Sequence, residues 1–419
     1  MRILVLSHFF TPEPIPKTFE LASTLIDRGH QVAVVTGFPN YPSGRLYPGY
    51  RLALVRREAI AGVPVVRCFE YPYHGRRVLG RMLNYASTML STILGSLFAP
   101  AADVIYVWHP PLTMGLAAWV IARLRGIPFV YDVQDIWPDS ALLSGLMREG
   151  ALVRVMFALE RFIYRRAAHI LVVTEGARGN LVKKGVPPEK ITVMPHWVDP
   201  ALFQEPARDT VELLRNEHAW AGDFVILFAG NLGLVQGLDT VVRAARQLPA
   251  DSSIRFVFVG DGADRERLQQ LAHEADVPSS RLQFIDRQPV DRISTFLGAA
   301  DALLVHLKKS ELSHYVIPTK TLAYMAAGRP ILMAMEGAAA DLVCEAGAGL
   351  AIEPDAPAAL AAAAQALSQL SADDRASMGA RGRRYLNAHL TREHVVPQYE
   401  DVLGRVARSH RRTTRERDD

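Results

Sequence analysis

Short runs of β-branched and aliphatic residues alternate along the chain with stretches whose apolar positions recur at helical spacing. In the first half the runs RILVLS, QVAVVTG, VPVVRCF, DVIYVWH, PFVYDV and HILVVTE predict strands, with helical patterns between most of them. In the second half FVILFAG, IRFVFVGDG, RLQFI, ADALLVHL, PILMA and GLAI predict a further series. Strands separated so regularly by helices pair in parallel through crossover helices, so the pattern predicts an α/β chain built from two doubly wound halves. Between them ITVMPHWVDPALF is extended and rich in turn residues, which places the break near residues 195 to 205. After Ala351 the pattern is helical to about residue 408, and SHRRTTRERDD, without an apolar anchor, predicts a flexible tail over 409–419.

Length agrees with two domains, because 419 residues exceed the size at which one core keeps growing. A hydrophobic fraction of 49% excludes a disordered chain, and a net charge of only +4 gives no reason to expect a nucleic-acid partner. The charge is unevenly spread. Arginines cluster at Arg76, Arg77 and Arg81, at Arg161, Arg165 and Arg166, and in the last dozen residues. Such clusters are either solvated faces or attractors of phosphate on a lipid or a nucleotide. Cys68 and Cys344 lie far apart without metal-type spacing, which predicts core thiols in a reducing compartment. MRILVLSHFF runs into TPEP without a small-residue cleavage site and reads as a first strand, consistent with a cytoplasmic protein.

One segment raises the question of a membrane. From Met82 to Ala102 no residue is charged, yet Asn84, several Ser and Thr, Gly95 and Pro100 keep its hydrophobicity modest. The segment predicts a helix that either packs against the sheet or lies on an anionic membrane surface through residues 76–99, with the arginines of HGRRVLGR at headgroup level.

Candidate chemistry gathers at strand-to-helix junctions, where doubly wound folds bind phosphates. There is no Walker loop, and the first strand leads into SHFFTPEPIPK instead of a glycine triplet. The second half offers FAGNLGLVQGLDT, with Gly230, Asn231 and Gln236, and VGDGADRERL, with Gly260 and Gly262. Glycine there either forms a plain turn or lets a ligand approach the backbone. A third junction, VIPTKTLAYMAAG, opens a helix at Pro318 and Thr319 and places Lys320 in its first turn. A cation at the positive end of a helix dipole is poorly placed unless an anion binds at the same spot. The three junctions together predict a bound diphosphate. Lys17, after Pro16 at the head of the first helix, is either a second phosphate ligand or a solvated helix-start lysine.

The stretches GHQVAVVTGFPNYPSGRLYPGY, YDVQDIWPDS, VMPHWVDP, FAGNLGLVQGLDT, VGDGADRERL and IPTKTLAYMAAGRPIL occur in an order that resembles the retaining glycosyltransferases of family 4. More narrowly, the chain is similar to bacterial fucosamine- and fucose-transferring enzymes of O-antigen and capsule synthesis. The resemblance implies the GT-B architecture, two Rossmann-like doubly wound domains facing across a cleft. It implies an acceptor-binding domain over 1–198, a donor-binding domain over 199–385 and a crossover helix over 386–408. The family's arginine and lysine on the donor diphosphate are replaced by Asn231 and Gln236, and its glutamate pair by Tyr315 and Ala323. Its first-domain histidine is matched by Gln134, beside Asp135. With two cations lost, Lys320 becomes the best remaining partner for a diphosphate.

The resemblance further implies a retaining, metal-independent transfer with no cofactor beyond a nucleotide-sugar co-substrate, through an oxocarbenium-like transition state and front-face attack. Asp135 would orient the acceptor hydroxyl or balance positive charge, or else cap a helix. Trp137 and Asp139 would line a sugar site. His109, at the end of another strand, is either an acceptor-side group or structurally satisfied. Glu311, the only acid near Lys320 in sequence, would hold that lysine or contact the sugar. The expectation is a transferase at the inner face of the cell membrane, moving a deoxyhexosamine- or deoxyhexose-like sugar to a lipid-linked saccharide. A nucleotide-sugar epimerase of the same fold and a non-catalytic sugar-nucleotide or lipid-binding subunit remain open alternatives.

Overall fold

The computed structural model describes residues 1–75 and 77–418. Arg76, one of the clustered arginines, and Asp419, the last residue of the expected tail, lie outside them. Two compact units emerge: Met1–Pro195 with Val395–Asp419, and His196–His394. The break falls three residues before the expected one, and the chain rejoins the first unit at Val395, nine residues after the expected start of the crossover helix.

The first unit contains, in chain order, β1 (Arg2–Leu6), α1 (Lys17–Asp27), β2 (Gln31–Gly37), β3 (Val55–Ile60), β4 (Val63–Cys68), α2 (Val78–Ser96) and β5 (Val104–His109). It continues with α3 (Leu112–Arg125), β6 (Phe129–Val133), α4 (Asp139–Leu143), α5 (Ala151–Arg166), β7 (His169–Val172), α6 (Glu175–Lys183) and β8 (Ile191–Val193). These strands form one sheet in the order β3-β4-β2-β1-β5-β6-β7-β8, parallel except where β3 meets β4. β5 and β6 are buried at every position, as expected of inner strands covered by helices on both faces. Two strands, β3 and β8, were not anticipated. β3 is a polar edge strand (VRREAI, largely exposed) and β8 is only three residues long, so neither carries an apolar run.

α2 packs against β2, β4 and α3 with its small polar face inward: Asn84, Thr88, Ser91, Thr92, Gly95 and Ser96 are buried. A Cβ on Gly95 would lie 2.1 Å from Cys68 Sγ, so only glycine permits this approach. The large aliphatic residues consequently face outward, with Leu79 69%, Leu94 60% and Leu97 68% exposed. Among the described residues no helix is long and apolar enough to cross a membrane. The expectation of a helix packed against the sheet is met by one face of α2, and the other face presents exposed apolar side chains.

The second unit contains α7 (Arg208–Glu217), β9 (Phe224–Ala229), α8 (Asp239–Gln247), β10 (Ile254–Val259), α9 (Arg265–Glu274), β11 (Leu282–Ile285), α10 (Val290–Ala299) and β12 (Ala302–His306). It ends with α11 (Thr319–Ala327), β13 (Ile331–Ala334), α12 (Ala338–Glu345), β14 (Gly349–Ile352), α13 (Pro357–Gln369) and α14 (Ala372–His389). Its parallel sheet has the order β11-β10-β9-β12-β13-β14. The strand order reverses between β9 and β12, and ligands of open α/β sheets bind where the order reverses, beyond the strands' carboxyl ends.

Helix α15 (Arg392–Asp418) corrects the expected tail, since it runs unbroken through residues 409–418. The physical reason is anchoring to the first unit: Arg411 reaches Asp103 at 2.8 Å and His410 Nε2 donates to the Gly126 carbonyl at 3.0 Å. The cysteine expectation holds only in part. Cys68 is buried and its thiol is pushed up to about 12 by burial and then by Glu70, whereas Cys344 is exposed near the end of α12.

Candidate functional site

In the second unit the loops after β9 and β12 meet at the reversal point, where Lys320 is the second residue of α11. No side chain caps that helix end. The Lys320 ammonium donates to Gln236 Oε1 at 3.1 Å and sits 3.5 Å from the centroid of the Phe228 ring. An amide oxygen and a ring face stabilise a cation weakly. Burial alone lowers the lysine to about 7, and among the described residues no carboxylate offsets it. The site holds a half-buried cation without a counter-ion.

Its surroundings are fixed by hydrogen bonds. Gln236 closes a single helical turn, Leu234–Gln236, and its carbonyl accepts from His306 Nδ1 at 2.6 Å, which ties the loop after β9 to the end of β12. Tyr324 Oη accepts from the Ala229 amide at 2.8 Å and binds α11 to the end of β9. Gly230, at φ +138°, adopts a conformation side chains resist, and a Cβ there would lie 3.5 Å from the Lys320 ammonium.

At Gly260 and Gly262 the close approach that the structure shows is of backbone to backbone. A Cβ on Gly260 would lie 2.0 Å from the Gly230 carbonyl oxygen, and one on Gly262 would lie 2.4 Å from that of Leu232. Both positions are glycine because the β9 and β10 loops touch there, backbone to backbone. Pro318 and Thr319 begin α11 as anticipated, and Asn231 and Thr319 are exposed beside it. Glu311 is exposed in the turn Glu311–His314, and the hydrogen bond of Lys320 goes to Gln236 instead of this acid.

The corresponding reversal in the first unit lies between β1 and β5. Lys17 is the first residue of α1, half-buried, and lowered to about 7 by burial against the attraction of Asp132 and Glu20. Gln134 follows β6, its Nε2 donating to Asp132 Oδ1 at 2.6 Å. Asp135 is spent on its own loop: one carboxylate oxygen accepts from Trp137 Nε1 at 2.9 Å, and the other accepts from the Ser140 hydroxyl. Burial raises its carboxyl, opposed by these bonds. The capping alternative is not realised, since no side chain caps α4 and Asp135 instead braces the turn that leads into it. Asp139 is engaged too, accepting from Lys184 at 2.6 Å and from Asn180 at 3.3 Å. His109 is neither exposed to an acceptor nor structurally satisfied, since both ring nitrogens are buried without a hydrogen-bond partner among the described residues. Its ring is 1% exposed, 5.4 Å from that of Tyr131, and burial lowers it to about 3, so it is a neutral core side chain.

Sequence reasoning missed Phe228, His306 and Asp132. Phe228 and His306 sit at the ends of strands that read as uniform core, and Asp132 is a lone acid inside the apolar run PFVYDV, the one signal available.

The profile of the glycosyl transferase 4-like domain matches residues 16–197, and that of the glycosyl transferases group 1 matches residues 210–385. The chain is 29% identical over 419 residues to an Escherichia coli K12 protein assigned by name to colanic acid biosynthesis, glycosyl transferase WcaI, covering 96% of this chain and 100% of that one. It is 27% identical to glycosyltransferase WbjE of Pseudomonas aeruginosa over 70% of this chain and 74% of that one. The crystal structure of Anabaena Alr3699/HepE in complex with UDP aligns with a TM-score of 0.72 at 15% identity, over 96% of this chain and 100% of that one. The fold is that of the GT-B glycosyltransferases. The chain belongs to family 4 of these enzymes, with a 4-like domain followed by a group 1 domain.

Proposed function

We propose that the protein transfers a hexose-like sugar, of the deoxyhexosamine or deoxyhexose type, from a nucleoside-diphosphate donor to a lipid-linked saccharide during surface-polysaccharide synthesis. The observation that carries this reading is the Lys320 ammonium, set at the start of α11 at the sheet's reversal point and paired, among the described residues, with Gln236 and the face of Phe228. A diphosphate there gains an ammonium and the positive end of a helix together. The names of the relatives, for colanic acid synthesis, and the UDP in the structural neighbour support the substrate class. Family membership favours transfer over the epimerase and binding-subunit alternatives.

In this reading the bond between the anomeric carbon and the phosphate oxygen breaks, and its electron pair passes to the diphosphate. The developing charge is met by Lys320 and the α11 backbone. The acceptor oxygen bonds to the same face of the sugar, and its proton passes to the leaving phosphate oxygen, so configuration is retained without a protein-bound metal.

The acceptor's lipid fits the outward face of α2. Leu79, Met82, Leu83, Leu90 and Leu94 are exposed there, with exposed Arg57, Arg77 and Arg81 around them, a pattern suited to an anionic membrane surface at the cytoplasmic side. The test is incubation with candidate nucleotide sugars and a lipid-diphosphate saccharide, with and without chelator. A new glycolipid of retained configuration, formed equally in chelator, is expected. A free epimer, donor binding without product, or strict need for added divalent metal overturns the reading.

A further inference from the structure

We propose that Asp132 is a positioning residue for the transfer, one that fixes which end of the Gln134 amide is available to the substrate. The proposal rests on the transfer reading above. Asp132 lies inside β6 and is 0% exposed, where an ionised carboxylate is costly unless its lone pairs are used. Three side chains use them. Tyr106 Oη on β5 donates to Oδ2 at 2.5 Å, Tyr399 Oη on α15 donates to the same oxygen at 3.2 Å, and Gln134 Nε2 donates to Oδ1 at 2.6 Å. Lys17, at the head of α1, adds an attractive positive charge. Three elements distant in sequence, α1, β5 and α15, converge with the neighbouring Gln134 on one carboxylate.

The chemistry of that carboxylate sets the amide. Burial raises the Asp132 carboxyl, opposed by the bonds from Tyr106, Gln134 and Tyr399 and by Lys17, and in its ionised form it only accepts hydrogen bonds, so the NH2 end of Gln134 faces it. Gln134 Oε1 is therefore turned away, and it is buried with no hydrogen-bond partner among the described residues. An unpaired buried acceptor on a side chain locked at its other end calls for an explanation. A sugar hydroxyl supplies the donor this oxygen lacks, and the position follows β6 at the carboxyl edge of the sheet, where doubly wound folds bind ligands. A core of apolar residues would be at least as stable as this buried network, so its presence points to specificity of orientation. Tyr399 extends the effect: through its bond to Asp132, helix α15 helps to hold the amide that follows β6.

The test exploits donor and acceptor roles. In Asp132→Asn the new NH2 faces Gln134 and favours the reverse amide orientation. The expected result is a fall in kcat of about 100-fold, with the donor KM changed by less than about threefold, because a misplaced group near the reaction costs rate more than binding. Adding Gln134→Glu restores the bond with donor and acceptor exchanged and again turns an acceptor oxygen outward. The double variant Asp132→Asn/Gln134→Glu is expected to recover about tenfold or more of that kcat. Asp132→Asn retaining wild-type kcat, or a double variant no faster than the single one, overturns the proposal. Crystal structures of wild type and Asp132→Asn give a readout independent of activity, and a Gln134 side chain unchanged between them also overturns it. Wild-type protein that makes no glycoside from any donor refutes the transfer reading separately.

Discussion

Two lysines begin helices in this chain, Lys17 in the first unit and Lys320 in the second, and both are half-buried and lowered to about 7 by burial. They differ in what answers the charge. Lys17 is attracted by Asp132 and Glu20, so its unit supplies the counter-charge internally. Lys320 has an amide oxygen and a phenyl face, and among the described residues no carboxylate raises it. The first lysine is part of a satisfied network that orients neighbours, while the second is incomplete until an anion arrives. Position at a helix start therefore does not identify a ligand-binding cation. The missing counter-ion does.

The largest effect is expected from removing the unanswered cation. Lys320→Ala should weaken nucleoside-diphosphate binding by about 10- to 150-fold, the worth of about 1.5 to 3 kcal/mol for a charge-assisted hydrogen bond, with a much smaller change in Tm. Calorimetric titration and a melting scan on the same variant check both halves of the statement.

Giving Lys320 the counter-ion that Lys17 already has should sharpen the contrast. Gln236→Glu places a carboxylate against the ammonium, which should raise its pKa and cost roughly tenfold in diphosphate affinity. Unchanged affinity would mean that the anion does not compete for this lysine.

The pH dependence follows with its sign. With Lys320 lowered to about 7 and the bound diphosphate favouring its charged form, donor affinity should be greatest below pH 7 and fall by up to about tenfold per unit above it. For folding, the unfolded chain keeps the lysine proton up to its ordinary 10.5 while the native state releases it near 7, so the unfolded state binds more protons between these values. Each lysine's contribution to stability therefore rises with pH across that window. Urea titrations at pH 6.5 and 9 measure the slope, and saturating diphosphate should remove the share of Lys320.

The smallest effect on binding belongs to Lys17→Met. It should change diphosphate affinity by no more than about threefold, and it should remove the share of Lys17 in the rise of stability with pH, read from the same urea titrations. A larger loss of affinity than in Lys320→Ala would reverse the assignment of the two lysines.

The two units were not equally legible in sequence. In the second, each apolar run became a strand, because inner parallel strands are buried on both faces and show continuous hydrophobicity. In the first, β3 escaped because an exposed edge strand carries charge, and β8 because three residues make no pattern. Lys320 stood out because a cation in a first helical turn conflicts with the dipole, but Phe228 beneath it is indistinguishable in sequence from other core aromatics. Gly260 and Gly262 were visible as glycines, yet their cause, contact between two loops, depends on which strands are neighbours. The direction of α2 was present in the spacing of Asn84, Thr88, Ser91 and Gly95, although only packing shows that the polar stripe is the buried one.

The most direct measurement of the central claim is proton uptake on binding. Titrating a nucleoside diphosphate into the protein at pH 8, in two buffers of different ionisation enthalpy, counts the protons taken up. If Lys320 is the cation that a diphosphate completes, wild-type protein takes up close to one proton and Lys320→Ala takes up almost none. Binding without proton uptake in the wild type, or equal uptake by the variant, contradicts it.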